Sequence, residues 1–411
     1  MRFSIQATFL IWFLIGCYLN FSLFITDSIF IPNFIAYIFS FILLVIHLNK
    51  FIRKKYFLFV FYFLIVSILS IIFSPKLTSG ILKEQLLSFL QLILSLFSCL
   101  AIIFCLNRLG SIKVARILLV FSLILLIGSI FERSVPFFSA FSDWFRHNFY
   151  SFDIYISDKR DLNMVGFIRP KFFSREPSFV SQFLVLFLAF WHILSNFRYK
   201  DSLVIFLSFL SLIITGSPKI ILIFPVLFFL NFQRIKYLLI KYNIISIPLF
   251  FILTTLALFF IYFFFNQRII DIIELRDQSF NLRILIPLAV IFFALLKYPF
   301  FGVGLGAKEN SLKIFNDTLS SYGYDWMIQK NFAPNFHSYF LEAIHFYGLL
   351  GLFLIVYVFN KYLLMEFNSN QKFIFWSSLV FIGLMGGSVV GIKTWLTISF
   401  LYFSISKLRI S

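Results

Sequence analysis

The sequence predicts an all-helical protein that crosses a membrane many times, and two observations lead to this prediction. Of its 411 residues, 61% are hydrophobic, 65 are Phe and only 13% are charged. The mean hydropathy is +0.97. A soluble domain could not bury so much apolar surface, so the composition is that of a polytopic integral membrane protein.

The apolar runs set the number of predicted helices, because a transmembrane helix needs about 20 apolar residues. Candidate runs lie at 5–25, 29–48, 56–73, 86–106, 114–131, 179–197, 202–215, 219–232, 243–265, 284–299, 339–360, 373–391 and 394–406. The first run is long, lacks a small-residue cleavage site and is followed at once by others, so we interpret it as a span. Cys17, Cys99 and Cys105 fall inside apolar runs, and we expect them to pack there without disulfides.

Basic residues set the predicted topology, because short loops rich in Lys and Arg remain cytoplasmic. With a cytoplasmic N-terminus, the cytoplasmic segments carry 17 basic and two acidic residues, which is +15 of the net +18. This pattern continues to the C-terminus only if the run at 284–299 does not cross. The sequence therefore predicts about 12 transmembrane helices, both termini cytoplasmic, and a re-entrant or interfacial helix near 284–299, all within a single membrane domain over 1–411.

Two long outer segments follow from this topology, at 132–178 and 266–338. Loops of this length in a compact chain are either functional or disordered. Both carry mixed charges, Trp and Tyr rather than low-complexity sequence, which favours function. The basic surplus is explained by topology and by anionic lipid headgroups. We expect no nucleic-acid partner, because no basic patch belongs to a soluble domain.

The first outer cluster is IRPKFFSREPSF, which gathers Arg169, Lys171, Arg175 and Glu176 just before a predicted span. One interpretation is an interfacial anchor followed by a helix that starts at Pro177. The other is an anion site, because an Arg fork matches two phosphate oxygens at once. A net-positive cluster is least expected on the outer face, which favours the second interpretation.

The second cluster is TGSPK, at 215–219, between two runs that are short for straight spans. Interrupted segments of this kind often open onto a cavity near the membrane surface, where Lys219 would point at a bound anion. A lysine that snorkels to the interface at the tip of a hairpin is the alternative.

The third cluster begins at Arg283 and ends with the glycines at 302, 304 and 306. Neither a preceding strand nor a following GK[ST] is present, so these glycines do not form a nucleotide P-loop. They allow the backbone to turn tightly after the predicted re-entrant helix.

The fourth cluster is NFAPNFHSYFLEAIHFYGLLG, at 331–351. His337 lies at the outer end of a predicted span and can exchange a proton near neutral pH. Glu342 and His345 are three residues apart and could pair. A metal site is not expected, because His337 and His345 are eight residues apart and no further carboxylate is placed to orient them. Gly348 and Gly351 would let a neighbouring helix approach closely.

The four patterns occur in one order: FFSREPSF, TGSPK, NLR with YPFFGVGLG, and NFHSYFLEAIHFYGLLG. Together they resemble the O-antigen polymerase and O-antigen ligase superfamily. Its members are polytopic enzymes that handle polyprenyl-diphosphate-linked glycans on the outer side of the bacterial cytoplasmic membrane. The resemblance covers 215–351 and extends to Arg169 through the EPS element. The element at 175–178 looks more like that of polymerases than of ligases.

The resemblance implies that Arg283 and Lys219 contact the lipid diphosphate and that His337 deprotonates the acceptor sugar hydroxyl. Two departures stand out: SPK replaces the usual SRG, and His-Ser replaces His-Asn. Sugar transfer needs a base for the hydroxyl and cations for the departing diphosphate, so Arg169 and Arg175 are further candidate substrate contacts. Glu176 would act as a second base, position a sugar hydroxyl or have a structural role.

The expected substrate is therefore a polyprenyl-diphosphate-linked oligosaccharide, handled without a metal or other cofactor, and the expected location is the bacterial inner membrane. Membrane lipids and a chain-length regulator protein are further expected partners. A ligase that transfers finished glycan to lipid A core is one alternative, and a transporter or flippase of lipid-linked glycans is another. A transporter is disfavoured, because transporters keep ionisable residues near the middle of the membrane and these span centres are nearly free of them.

Overall fold

The structure is a computed structural model of the chain. It describes residues 4–26, 29–51, 53–75, 78–150, 158, 161–162, 166–232, 281–321, 323, 336 and 338–408. The helices are α1 (Ile5–Leu19), α2 (Phe34–Ile46), α3 (Leu48–Phe51), α4 (Lys54–Ile72), α5 (Ser79–Leu109), α6 (Ser111–Ser134), α7 (Pro136–Phe149), α8 (Pro177–Leu194), α9 (Lys200–Thr215), α10 (Ile223–Leu230), α11 (Ile286–Lys297), α12 (Lys308–Ser321), α13 (Tyr339–Val358), α14 (Ser369–Gly383) and α15 (Ile392–Ser406). A short antiparallel hairpin pairs β1 (Leu23–Thr26) with β2 (Ile29–Ile31).

Three single-turn elements complete the described architecture. A 3-10 turn at Pro218–Leu222 precedes α10, a π-helical turn at Asn281–Leu285 precedes α11, and a second π-helical turn at Phe359–Leu363 extends α13.

Five described helices are long and apolar enough to cross a membrane: α4, α5, α6, α8 and α13 with its extension. Shorter apolar helices include α1, α2 and α11. The prediction of a helical, polytopic membrane protein is thereby confirmed. The number of 12 spans and the position of both termini stay predictions, and the run at 243–265 lies outside the described residues. α11, which lies in the predicted run at 284–299, has 12 residues and is about 18 Å long.

Helix boundaries follow local sequence signals. Pro177 occupies the first turn of α8, where its missing N–H costs nothing. α9 ends at Gly216, which takes the left-handed conformation. Two predicted runs are longer than the helices they contain. α1 ends at a left-handed Asn20 before the hairpin, and α14 ends at Gly383 because a glycine-containing loop follows.

The centre of the bundle is built around α8, which is buried along almost its whole length and packs against α6, α9 and α15. α5 packs against α2 and α15 in the same way. Cys17, Cys99 and Cys105 are all buried and free, in agreement with their predicted packing role.

α13 is interrupted at Gly348, whose backbone (φ 63°, ψ −170°) is not helical. The loop between α11 and α12 inserts there and pairs with the freed groups. The Val303 N–H donates to the His345 carbonyl over 3.0 Å, and the Leu349 N–H donates to the Pro299 carbonyl over 2.8 Å. Inside a membrane such pairing is required, because lipid offers no partner for an open backbone group.

The approach predicted at Gly348 is real, but its partner is a loop and not a helix. A Cβ on Gly348 would lie 2.5 Å from the Gly302 nitrogen, and one on Gly302 would lie 2.3 Å from the His345 carbonyl oxygen. Gly302 itself has a φ of +66°, as expected for the tight turn predicted there. The two glycines therefore allow backbone to touch backbone.

Candidate functional site

The N-terminal end of α8 carries the first predicted cluster. Glu176 is its N-cap residue, and its carboxylate accepts a hydrogen bond from the Ser178 hydroxyl over 2.9 Å. The Arg175 guanidinium lies 5.7 Å from the centre of the Tyr150 ring. Arg146 donates to the Arg175 carbonyl over 3.5 Å. Arg175 and Glu176 thus stand side by side where α8 begins, each half-buried.

The second cluster adjoins the first. The Ser181 hydroxyl donates to the Ser217 hydroxyl over 2.9 Å, which ties the TGS turn to the first turns of α8. The 3-10 turn that contains Lys219 packs against the same helix. Lys219 itself is half-buried. Two elements about 40 residues apart in the sequence are thereby brought into contact.

The third and fourth clusters are only partly described. Arg283 lies in the π-helical turn at Asn281–Leu285, and its side chain lies outside the described residues. His337 lies outside them as well. Its neighbour Ser338 is the N-cap of α13 and accepts a hydrogen bond from the Leu341 N–H over 3.4 Å. The predicted roles of His337 and Arg283 therefore stay predictions.

Glu342 and His345 do not form the pair that their spacing suggested, because each has a different partner. The Glu342 carboxylate accepts hydrogen bonds from the Ser388 hydroxyl, over 3.0 Å, and from the Val389 N–H. His345 shares a hydrogen bond of 3.0 Å with the Ser311 hydroxyl of α12. Glu342 thus binds the loop before α15, whereas His345 binds α12.

The loop between α14 and α15, at 384–391, is a part of the site that the sequence prediction missed. The Gln182 amide of α8 donates to the Gly386 carbonyl over 3.4 Å. Gly386 and Gly387 have φ values of 130° and 124°, which only glycine adopts readily. The loop also contacts Glu342 of α13, so it bridges α8 and α13 through hydrogen bonds.

Lys393 follows that loop in the first turn of α15 and was also missed. Its ammonium lies 3.7 Å from the centre of the Phe179 ring and 5.6 Å from that of Phe183. Both rings belong to the first two turns of α8. In sequence Lys393 is one lysine beside an apolar run, which is typical of a snorkelling residue. Only the fold brings it to the first turns of α8, the helix that follows Arg175 and Glu176.

Arg169 is already engaged in an ion pair. Its Nε and one terminal nitrogen both lie 2.7 Å from Oδ1 of Asp161, and its backbone N–H donates to the other oxygen over 3.2 Å. Asp161 is fully buried. A buried carboxylate needs such pairing. Arg169 therefore stabilises the chain before α8 through its contact with Asp161.

Lys171 is held similarly. Its buried ammonium lies 2.9 Å from Asp158 and 3.8 Å from Asp143. Asp143 also pairs with the buried Arg146 at 2.6 Å. These ion pairs join Lys171 and Asp158 to α7.

The turn between Arg169 and Arg175 is strained and is held from three sides. Phe172 and Phe173 both have positive φ, 39° and 63°, which is uncommon for bulky residues. Glu132 accepts hydrogen bonds from the Lys171 and Phe172 N–H groups. Tyr18 donates to the Phe172 carbonyl over 2.7 Å. Strain of this kind persists only where the surroundings enforce it, and it concentrates at functional sites.

Tyr150 locks the same turn to α1. Its hydroxyl lies 2.7 Å from the Phe173 carbonyl and also reaches the Leu19 carbonyl. Burial raises the pKa of Tyr150, so the hydroxyl keeps the proton with which it donates. The aromatic ring beneath Arg175 is thus fixed in place by hydrogen bonds to two other segments.

These contacts gather one set of helix ends. The C-terminal ends of α1, α6 and α9 lie beside the N-terminal ends of α8, α13 and α15. Helices that cross a membrane in alternating directions would bring these ends together on one side. It forms a polar region at one end of the bundle, which contains Arg175, Glu176 and Lys393. Within the described ranges, no group of three His, Cys, Asp or Glu side chains could hold a metal ion.

Comparison with known proteins gives one match. A family model described as O-antigen ligase matches residues 203–356. No curated protein and no solved structure matches the chain. The matched segment runs from α9 to α13 and includes Lys219, Arg283 and His337. The match supports a relationship of this part of the chain to the O-antigen ligase and polymerase superfamily.

Proposed function

We propose that the protein is a glycosyltransferase that polymerises polyprenyl-diphosphate-linked oligosaccharide repeat units on the outer face of the cytoplasmic membrane. The product would be O-antigen, capsule or exopolysaccharide. One observation carries the proposal: the hydrogen bond between Ser181 and Ser217 joins the Arg175–Glu176 element to the turn that bears Lys219. That turn lies inside the segment that matches the family.

In this proposal cationic side chains stabilise the departing diphosphate, as a metal ion does in many sugar transferases. Arg175, Lys219 and Arg283 contact the diphosphate and stabilise the negative charge that builds on it as the sugar departs. Guanidinium groups suit this role because they bind two phosphate oxygens at once. Lys219 contributes a point charge. The reaction is metal-independent, and no cofactor takes part.

His337 is the proposed base. It takes the proton from the acceptor hydroxyl as that oxygen attacks the anomeric carbon, and the diphosphate leaves with the bonding electrons. Glu176 is proposed as a second catalytic group, which orients a sugar hydroxyl, and the hydroxyl of Ser178 supports its position. For Arg169 the ion pair with Asp161 favours a positioning role over direct substrate contact.

The polymerase is favoured over the ligase by the Arg-Glu-Pro-Ser element at 175–178, which resembles that of polymerases. The site at the bundle end also favours an enzyme over a flippase, since a transporter would place ionisable groups near mid-membrane. A chain-length regulator protein is a proposed partner.

Deletion of the gene, followed by gel analysis of surface glycan, separates these functions by what accumulates. A polymerase mutant keeps single repeat units on the cell surface and loses the ladder of longer chains. Complete polymer retained on the lipid carrier would identify a ligase. Repeat units retained at the cytoplasmic face would identify a flippase, and either result would refute the polymerase proposal.

A further inference from the structure

Lys393 is a charged group whose surroundings do not account for it. Its ammonium lies over the rings of Phe179 and Phe183, which attract a cation but leave its three N–H donors without an acceptor. Within the described ranges, it makes no hydrogen bond or ion pair. An ionisable residue beside apolar helices is costly and points to function.

The position of this ammonium is fixed from both sides. Glu342 binds Ser388 and Val389 in the loop that leads into α15, and Gln182 binds Gly386 in the same loop. The aromatic rings belong to α8. Lys393 is therefore held at the start of α15 by contacts from α13 and α8, beside the first turns of α8, the helix that follows Arg175 and Glu176.

The electrostatics around Lys393 suit a multiply charged anion. Arg175 and Glu176 both act on its charge, one repelling and one attracting it. Two cations with one carboxylate carry a net positive charge, which attracts a diphosphate more strongly than a singly charged anion. Bringing two like charges together in a partly buried place is unfavourable unless an anion joins them.

We propose that Lys393 binds the diphosphate of the polyprenyl-linked substrate together with Arg175, beside the first turns of α8. The ligand chemistry rests on the proposed function, whereas the choice of Lys393 rests on its position over Phe179 and Phe183, beside the first turns of α8. Lys393 holds the phosphate oxygens through its ammonium, while Phe179 and Phe183 keep that group from turning toward water. It is a second cation on a part of the chain outside the matched segment.

The test measures binding without sugar transfer. The purified full-length protein in detergent is titrated with farnesyl diphosphate, and the dissociation constant is measured by calorimetry for the wild type, Lys393→Gln, Lys393→Arg and Lys407→Gln. Lys407 is the matched control, because it also stacks on a Phe ring but at the opposite end of α15. We expect about a tenfold or greater loss of affinity in Lys393→Gln, and near wild-type affinity in the other two variants.

Wild-type affinity in Lys393→Gln would overturn the proposal. So would an equal dependence on Lys393 when phosphatidylglycerol replaces farnesyl diphosphate, since the site would then bind lipid headgroups. If Lys393→Gln does not fold, acetylation of lysines in the wild type decides: farnesyl diphosphate should protect Lys393 and not Lys407. Equal acetylation of Lys393 with and without the ligand overturns the proposal.

This test is independent of the polymerase proposal. A deletion strain with a normal glycan ladder would refute the polymerase and leave diphosphate binding by Lys393 intact. Conversely, unchanged binding in Lys393→Gln would refute this inference and leave the polymerase proposal standing.

Discussion

Replacement of Gly348 by Ala should disrupt the junction that joins the Arg283 segment to the helix that follows His337. The backbone of Gly348 lies in a region open almost only to glycine, and forcing another residue into it costs about 1–3 kcal/mol. The new Cβ would also lie 2.6 Å from the Phe300 carbonyl oxygen, so the loop must move. Five backbone hydrogen bonds join this loop to α13, each worth about 1 kcal/mol net.

Loss of two of these bonds brings the total destabilisation to about 4 kcal/mol. The assay is thermal unfolding of the purified protein in detergent, combined with gel analysis of surface glycan in cells that carry the variant. Gly80→Ala is the control, because a Cβ at Gly80 meets no atom within 4 Å and Ala is the better helix former. We expect a lower melting temperature and a shortened or absent ladder for Gly348→Ala only. Equal melting temperatures for the two variants would refute the reasoning.

Three further predictions concern the outer segment and its neighbours. Glu132→Gln weakens the acceptor that holds the strained turn at Phe172, so limited proteolysis should cleave the 135–176 region faster than in the wild type; an unchanged rate would contradict this. Arg169→Ala and Asp161→Ala should each destabilise the protein by about 3 kcal/mol, because each leaves the other partner buried without its counter-charge. The double variant should be destabilised by less than the sum of the two. Additive losses of melting temperature would argue against the ion pair. Ser217→Ala should lower the free energy of unfolding by about 1 kcal/mol and shorten the glycan chains at unchanged protein level. A normal ladder of chain lengths would show that the turn at 215–219 does not take part in the site.

The sequence predicted the helices well wherever one physical signal was dominant. Apolar runs of sufficient length became α4, α5, α6 and α8, and Pro177 and Gly216 marked helix ends because their backbone preferences are strong. The prediction of a helix over 373–391 was wrong for its second half, which is a loop. Hydropathy alone could not separate a helix from the loop that holds Gly386 and Gly387, since that loop is apolar too.

The interruption at Gly348 also escaped the prediction, because GLLG is typical of two small residues on one face of a packed helix. The freed backbone groups find partners in a loop that lies about 45 residues earlier. A contact of this kind depends on tertiary structure and leaves no local signal.

The candidate site was predictable as a set of charges but not as a set of contacts. The hydrogen bond between Ser181 and Ser217 ties the turn that bears Lys219 to the helix that follows Arg175, while the roles of both cations stay predictions. Sequence could not reveal that Arg169 has the buried partner Asp161, or that Glu342 binds a loop in place of His345. Lys393 was missed because a single lysine beside an apolar run is usually an interfacial anchor.

The most direct test of the central claim uses purified protein and polyprenyl-diphosphate-linked repeat units, with a chelator present. Products are separated by size after incubation with the wild type, His337→Ala, Arg283→Ala or Lys407→Gln. We predict chain elongation by the wild type and Lys407→Gln, and none by the other two variants at equal amounts of folded protein. Absence of elongation by the wild type, or normal elongation by both His337→Ala and Arg283→Ala, would contradict the claim.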